Sequence, residues 1–119
     1  MYLISPQERL VSVSFSGYLS VGDVHEYVDA LRGDPSFKSD FNEIVDLTAV
    51  AELELDPDQA LKLADIVDPF APGVKRAFVA RTRFQHHAAR LHQILRSDEG
   101  NIRIFPSLDE AKKWVLGSP

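Results

Sequence analysis

The chain has 119 residues, enough for one domain with a core of its own and too few for two comfortable ones. An apolar fraction of 45% and a charged fraction of 26% are those of an ordinary globular protein, while a net charge of −5 and a pI near 5.2 disfavour general nucleic-acid binding, which rests on neutralising phosphates. The absence of cysteine excludes a disulfide scaffold, a thiolate zinc site, a redox cysteine pair and a cysteine nucleophile.

Residues 2–4 read as a short apolar strand, Pro6 to Arg9 as a turn, and Leu10 to Tyr18 as a second strand. In the latter, Val11, Val13 and Phe15 alternate with Ser12, Ser14 and Ser16, which is the period of a strand buried on one face. The four-residue turn makes the pair an antiparallel hairpin. Ser20 caps the helix that follows, with Asp23 in its first turn. Val21, Val24, Val28 and Leu31 form its buried stripe, and Gly33-Asp34-Pro35 stops it.

Phe41 to Leu47 holds a third strand. A second helix is expected to start at Asp56 as N-cap, with Pro57 at the first helical position, and to bury Ala60, Leu63, Ala64 and Val67 before Pro69, Pro72 and Gly73 end it. Ala77 to Ala80 reads as a continuous apolar strand in a central position. A third helix runs from about Thr82 to Arg96, with Phe84, Ala88, Leu91 and Leu95 facing inward and His86, Arg90 and Gln93 on a polar face. The last strand is Asn101 to Phe105. The last helix is capped by Ser107 with Glu110, packs Leu108, Ala111 and Val115 inward, and ends at Gly117.

The order β-β-α-β-α-β-α-β-α describes one α/β domain. Its sheet is mixed and mostly parallel, of about five strands with about four helices, and its first strand is an antiparallel edge. No basic segment followed by a long apolar run opens the chain, and no apolar run approaches the roughly 20 residues that span a bilayer, so a cytoplasmic protein without a membrane span is expected.

That order, with Val45-Asp46-Leu47-Thr48, the segment Val74 to Ala80, and the ending from Arg103-Ile104-Phe105 through Glu110-Ala111 to Trp114, resembles the STAS domain, and more narrowly the small bacterial SpoIIAA-like proteins of STAS/SEC14 type. The resemblance covers nearly the whole chain. It implies a non-enzymatic regulatory or ligand-sensing module that docks to partner proteins. Partner-switching members carry a phosphorylatable serine where the second helix begins. Here the matching stretch is Glu54-Leu55-Asp56-Pro57-Asp58, which has no hydroxyl, so Asp56 is either a plain N-cap or a charge mimic of the phosphoserine.

Charge is segregated along the chain. From Asp40 to Pro69 the acids face Lys62 alone, and from Phe70 to Arg96 there are only bases: Lys75, Arg76, Arg81, Arg83, Arg90 and Arg96. This is either two solvated faces or a dipolar surface that steers a partner. The candidate site is the turn after the fourth strand, where Arg81, Thr82 and Arg83 open a helix at the C-terminal end of a parallel strand, a place suited to an anion. Asp46, Thr48, Asp56 and Asp58 are expected near the same edge, and His86, His87 and Arg90 on the helix that follows; alternatively the arginines pair with those acids and hold nothing. His86, His87 and His92 lack the i, i+4 spacing that clamps a metal, no G-x-S-x-G elbow or glycine-rich phosphate loop is present, and no cofactor is called for.

The function these features point to is a non-catalytic regulatory or binding module. Its partner is a protein or a small hydrophobic or anionic ligand, and a homodimer would form through the edge strand. The competing expectation is a small enzyme or anion-binding protein built on the Arg81–His87 turn.

Overall fold

Alternating valines and serines make β2 (Leu10–Leu19) a strand with one dry face, and β1 (Tyr2–Ser5) pairs with it antiparallel, Tyr2 opposite Val13 and Ser5 opposite Leu10. Arg9 closes the connecting turn with a left-handed φ of 54° and donates its N–H to Pro6 O at 3.2 Å. The computed structural model describes residues 1–53, 58, 62, 66–96 and 101–117, without the side chains at 91, 92 and 94–96.

Helix α1 (Val21–Gly33) begins at the expected cap. Ser20 Oγ accepts the Asp23 N–H at 3.1 Å, and Asp23 Oδ2 accepts the Ser20 N–H at 3.0 Å. Tyr27, Val28 and Leu31 are buried on its inner face, with Val21 and Val24 packed half-buried beside them. The third strand, β3, runs from Asn42 to Leu53, six residues past the expected end at Leu47. It continues because β2 stays beside it as far as Leu19–Leu53, through two register shifts, the second next to Gly17 at a φ of +66°.

The expected helix from Asp56, with its stripe Ala60, Leu63 and Ala64, lies outside the described residues, save that Asp58 and Lys62 are helical and exposed. Its last stripe residue is corrected: Val67 is 72% exposed, while Ile66 and Phe70 are buried. The Phe70 N–H donates to Asp68 Oδ1 at 3.1 Å, and this turn swings Phe70 inward.

Strand β4 (Arg76–Val79) is buried at all four positions. Helix α2 (Arg83–Arg96), strand β5 (Ile102–Phe105) and helix α3 (Leu108–Val115) complete the chain. The sheet order is β1-β2-β3-β4-β5, with every pair parallel except the first. One face carries α1 and α2 over Val11, Val13, Val45, Leu47 and Phe78. The other carries α3, whose Ala111 and Val115 seat on Leu10, Ile44, Ala77 and Val79. Leu108 departs from the expected inward role: it is 38% exposed, since it opens α3 at the border of the uncovered half of that face.

On α2 the expected inward stripe is corrected at Phe84 and Gln93 leaves the expected polar face, while Ala88 is half-buried and the side chains of Leu91 and Leu95 lie outside the described residues. Gln85, Ala89 and Gln93 are buried, and Phe84 is 42% exposed. At about 100° per residue Gln85, Ala89 and Gln93 share one side, and Arg83, His87 and Arg90 the opposite one. Two amide side chains stand on this inner face, where the carbonyl oxygens of Thr48, Val50 and Ile102 accept their N–H groups.

Candidate functional site

The turn after β4 is organised by Gln85. Its Oε1 accepts the N–H of Arg81 at 2.9 Å and of Thr82 at 3.3 Å, and Thr82 Oγ1 accepts the Gln85 N–H at 3.1 Å. Thr82-Arg83-Phe84-Gln85 is thus a reciprocal cap, a T-x-x-Q signal present in the sequence. Gln85 Nε2 donates to Thr48 O at 3.0 Å and Val50 O at 3.1 Å, which ties the start of α2 to β3. The amides of Arg81 and Thr82 are therefore already committed to a neutral acceptor within the chain.

The expected site residues separate into two groups. Asp46 Oδ1 accepts from Thr48 N at 2.9 Å and Thr48 Oγ1 at 2.7 Å, so these two serve each other on β3. Asp46 lines a shallow cleft of about 150 Å³ on the α3 side of the sheet, with Leu3, Ser12, Ser14, Ile44 and Leu108. Arg83, His86, His87 and Arg90 are exposed on α2, which covers the other side. Arg81 Nε donates to Pro106 O at 3.4 Å, and Arg90 Nη1 to Gln93 Oε1 at 2.6 Å. Asp56 lies outside the described residues, as does the His92 side chain, and Asp58 is exposed. Among the described residues the ion pairs made by arginine are Arg9–Asp40, Arg32–Asp29, Arg76–Glu43 and Arg76–Asp68, so Asp46 and Asp58 do not pair with Arg81 or Arg83. No group of three or more metal-ligating side chains occurs among the described residues.

A second cluster, which the sequence reading did not single out, lies inside the α1/α2 side. Glu43 and Arg76 are register partners at the beginnings of β3 and β4, and both are almost wholly buried, 4% and 5% exposed. Tyr27 reaches down from α1 and donates its hydroxyl to Glu43 Oε2 at 2.6 Å. Arg76 Nη2 donates to Asp68 Oδ1 at 2.5 Å, its Nε stands 4.0 Å from Glu43 Oε1, and its guanidinium lies 4.7 Å from the Phe70 ring centre. Burial works against the Arg76 cation, but Glu43 and Asp68 outweigh it and its pKa is raised. Burial, reinforced by the Glu43 charge and the hydrogen bond to it, pushes the Tyr27 phenol far above its ordinary value. The cluster forms the polar end of an otherwise apolar cleft of about 100 Å³ that runs up to Leu19, Val24, Leu47 and Ala88. The signal for it in the sequence is the pair of opposite charges that immediately precede two apolar runs, Glu43 before Ile44-Val45 and Arg76 before Ala77-Phe78-Val79.

This architecture has close counterparts in shape. It superposes on the crystal structure of an anti-sigma factor antagonist from Mycobacterium paratuberculosis with a TM-score of 0.63 and 19% identity, over 97% of this chain and 92% of that one. It also superposes on a protein of the DUF3478 family from Shewanella loihica, described as having a SpoIIAA-like fold, with a TM-score of 0.58 and 16% identity, over 89% of this chain and 83% of that one. The fold is SpoIIAA-like. The STAS/SpoIIAA resemblance drawn from the strand ends and element order holds at the level of fold. No family model matches the chain, and no curated protein matches it in sequence. In this SpoIIAA-like domain no helix among the described residues is long and apolar enough to cross a membrane.

Proposed function

We propose that this SpoIIAA-like chain is a non-catalytic regulatory module that docks to a protein partner through the exposed side of α2, and that the partner presents an acidic surface. The observation that carries the reading is the composition of that side. Arg83, His87 and Arg90 stand in line at i, i+4 and i+7, His86 beside them, and Phe84 flanks them with nearly half its surface open, on a chain of net charge −5. An aromatic residue among guanidinium groups is the composition that anchors protein interfaces. The neighbouring anti-sigma factor antagonist shares this fold and has, by its description, a protein-regulating role. The turn itself offers a surface and no enclosed chemistry: His86 and His87 are both exposed, and the helix-start amides of Arg81 and Thr82 are bonded to Gln85.

A photo-crosslinking residue placed at His87, with one at exposed Tyr18 as control, tests the reading in cells. The protein captured from position 87 is then purified and titrated against the wild-type chain and the Arg83→Glu/Arg90→Glu variant. An affinity loss of about ten-fold or more on charge reversal, with a salt dependence that the variant lacks, is expected. A partner bound equally well by both chains would place docking elsewhere. Within the same reading the outer edge of β1 is where a second copy would pair, and the mass in solution by light scattering tests that part separately.

A further inference from the structure

Two carboxylates and one guanidinium enter the α1/α2 cleft at its lower end, and the remaining lining residues are mostly aliphatic or aromatic. Charges in such a place do not repay their desolvation by stability alone, and apolar side chains of similar size would fill the same space at least as well. Arg76 is held by Glu43 on one side and Asp68 on the other and stacked on Phe70, so its position is locked. Tyr27 is a neutral donor whose proton is already given to Glu43. Among the described residues the cluster sets two carboxyl groups, Glu43 and Asp68, against one guanidinium, and at Glu43 and Arg76 water screens little. The complement of such a site is an apolar body with a positively charged, hydrogen-bond-donating head.

We propose that this cleft binds a small amphipathic ammonium compound, its apolar body against Phe15, Val24, Val45 and Phe78 and its N–H donors turned toward the Glu43 and Asp68 carboxylates. A volume of about 100 Å³ admits a short alkyl or single-ring amine and not a long-chain lipid. Asp68, whose side chain is one-third exposed, sits at the mouth and meets the head group first. The site lies inside the α1/α2 layer, apart from the docking side of α2, and stands or falls independently of it.

The test is a two-dimensional amide NMR titration of the full chain with three probes of one length: n-hexylammonium, n-hexanol and hexanoate. Saturable shifts at Tyr27, Val45, Phe70 and Phe78 are expected, with hexylammonium bound about ten-fold more tightly than hexanoate. Ala88→Phe, which fills the apolar end without touching a charge, should abolish hexylammonium and hexanol binding alike in a chain whose spectrum stays dispersed. Asp68→Asn should erase most of the preference for ammonium over alcohol. Hexanoate binding as tightly as hexylammonium overturns the proposal. So do shifts confined to exposed acidic residues, hexylammonium binding unaffected by Ala88→Phe, or the lack of any saturable response to the three probes.

Discussion

Gln85 Nε2 donates to the carbonyl of Thr48 at 3.0 Å, across 37 positions of the chain, and the same amide group also serves Val50, Arg81 and Thr82. One side chain therefore satisfies two strand carbonyls and two helix-start amides. Gln85→Leu keeps the volume and leaves all four without this partner, so a loss of about 3 kcal/mol in urea unfolding is expected. Gln85→Glu retains the acceptor for the cap and removes both donors. It should destabilise at least as much at neutral pH, because a carboxylate would then face two carbonyl oxygens.

The inner face of α2 shows where a sequence can mislead. The expected stripe fails at exposed Phe84 and is kept at half-buried Ala88, while Gln85, Ala89 and Gln93 are buried beside it. Glutamine reads as solvent-facing, but Gln85 and Gln93 are inside because Thr48, Val50 and Ile102 present carbonyls there, Gln93 Nε2 giving its proton to Ile102 O at 2.7 Å. Hydrophobic periodicity carries no information about which backbone groups need partners. The Ser20 cap and the Gly117 stop were legible because each rests on local residue chemistry, and the antiparallel edge position of β1 followed from the order of elements along the chain. The Glu43–Arg76 pair was not, since its meaning depends on two strands lying in register, 33 residues apart.

For that pair, removing one charge and removing both are expected to differ in kind. Arg76→Met alone leaves buried Glu43 without its cation and should cost about 3–5 kcal/mol by chemical denaturation. Adding Glu43→Gln should restore more than half of that loss, a coupling that a double-mutant cycle reads directly.

Tyr27 makes the alkaline limb of stability steep. Its pKa is raised in the folded state by burial and by Glu43, so the folded chain holds this proton where the unfolded chain releases it. The contribution is whole below the ordinary phenol pKa of about 10 and declines as pH rises above it. Tyr27→Phe should lower stability by about 2 kcal/mol at neutral pH through the lost bond to a carboxylate. Between about pH 10 and 12 the variant should lose less stability with pH than the wild type, whose curve falls toward it. Tyr2, raised by its hydrogen bond to Asp34, is common to both chains and does not affect the comparison.

Phe84 separates docking from folding. With 42% of its surface open it contributes modestly to the core, so Phe84→Ala should move the unfolding free energy by about 1 kcal/mol or less. Affinity for the crosslinked partner should fall by about 2 kcal/mol, the loss usual for an aromatic anchor, as read by calorimetric titration. Equal effects on both quantities would mark Phe84 as a core residue.

The spatial order of the strands repeats their order in the chain, and no strand is inserted between two that precede it. A nascent chain can therefore lay down this sheet from one side to the other, the β1–β2 hairpin first and each later strand adding to the open edge left by its predecessor. Each parallel pairing, Leu10 with Asn42, Glu43 with Arg76 and Arg76 with Ile102, closes a non-local loop, which slows assembly, and the strand most exposed to mispairing during synthesis is always the newest one. Glu43 comes into place with β3 and waits for Arg76 on the next strand. The buried charge pair therefore disfavours the slip that would leave Glu43 facing Ala77, whereas the opposite slip would offer it Lys75.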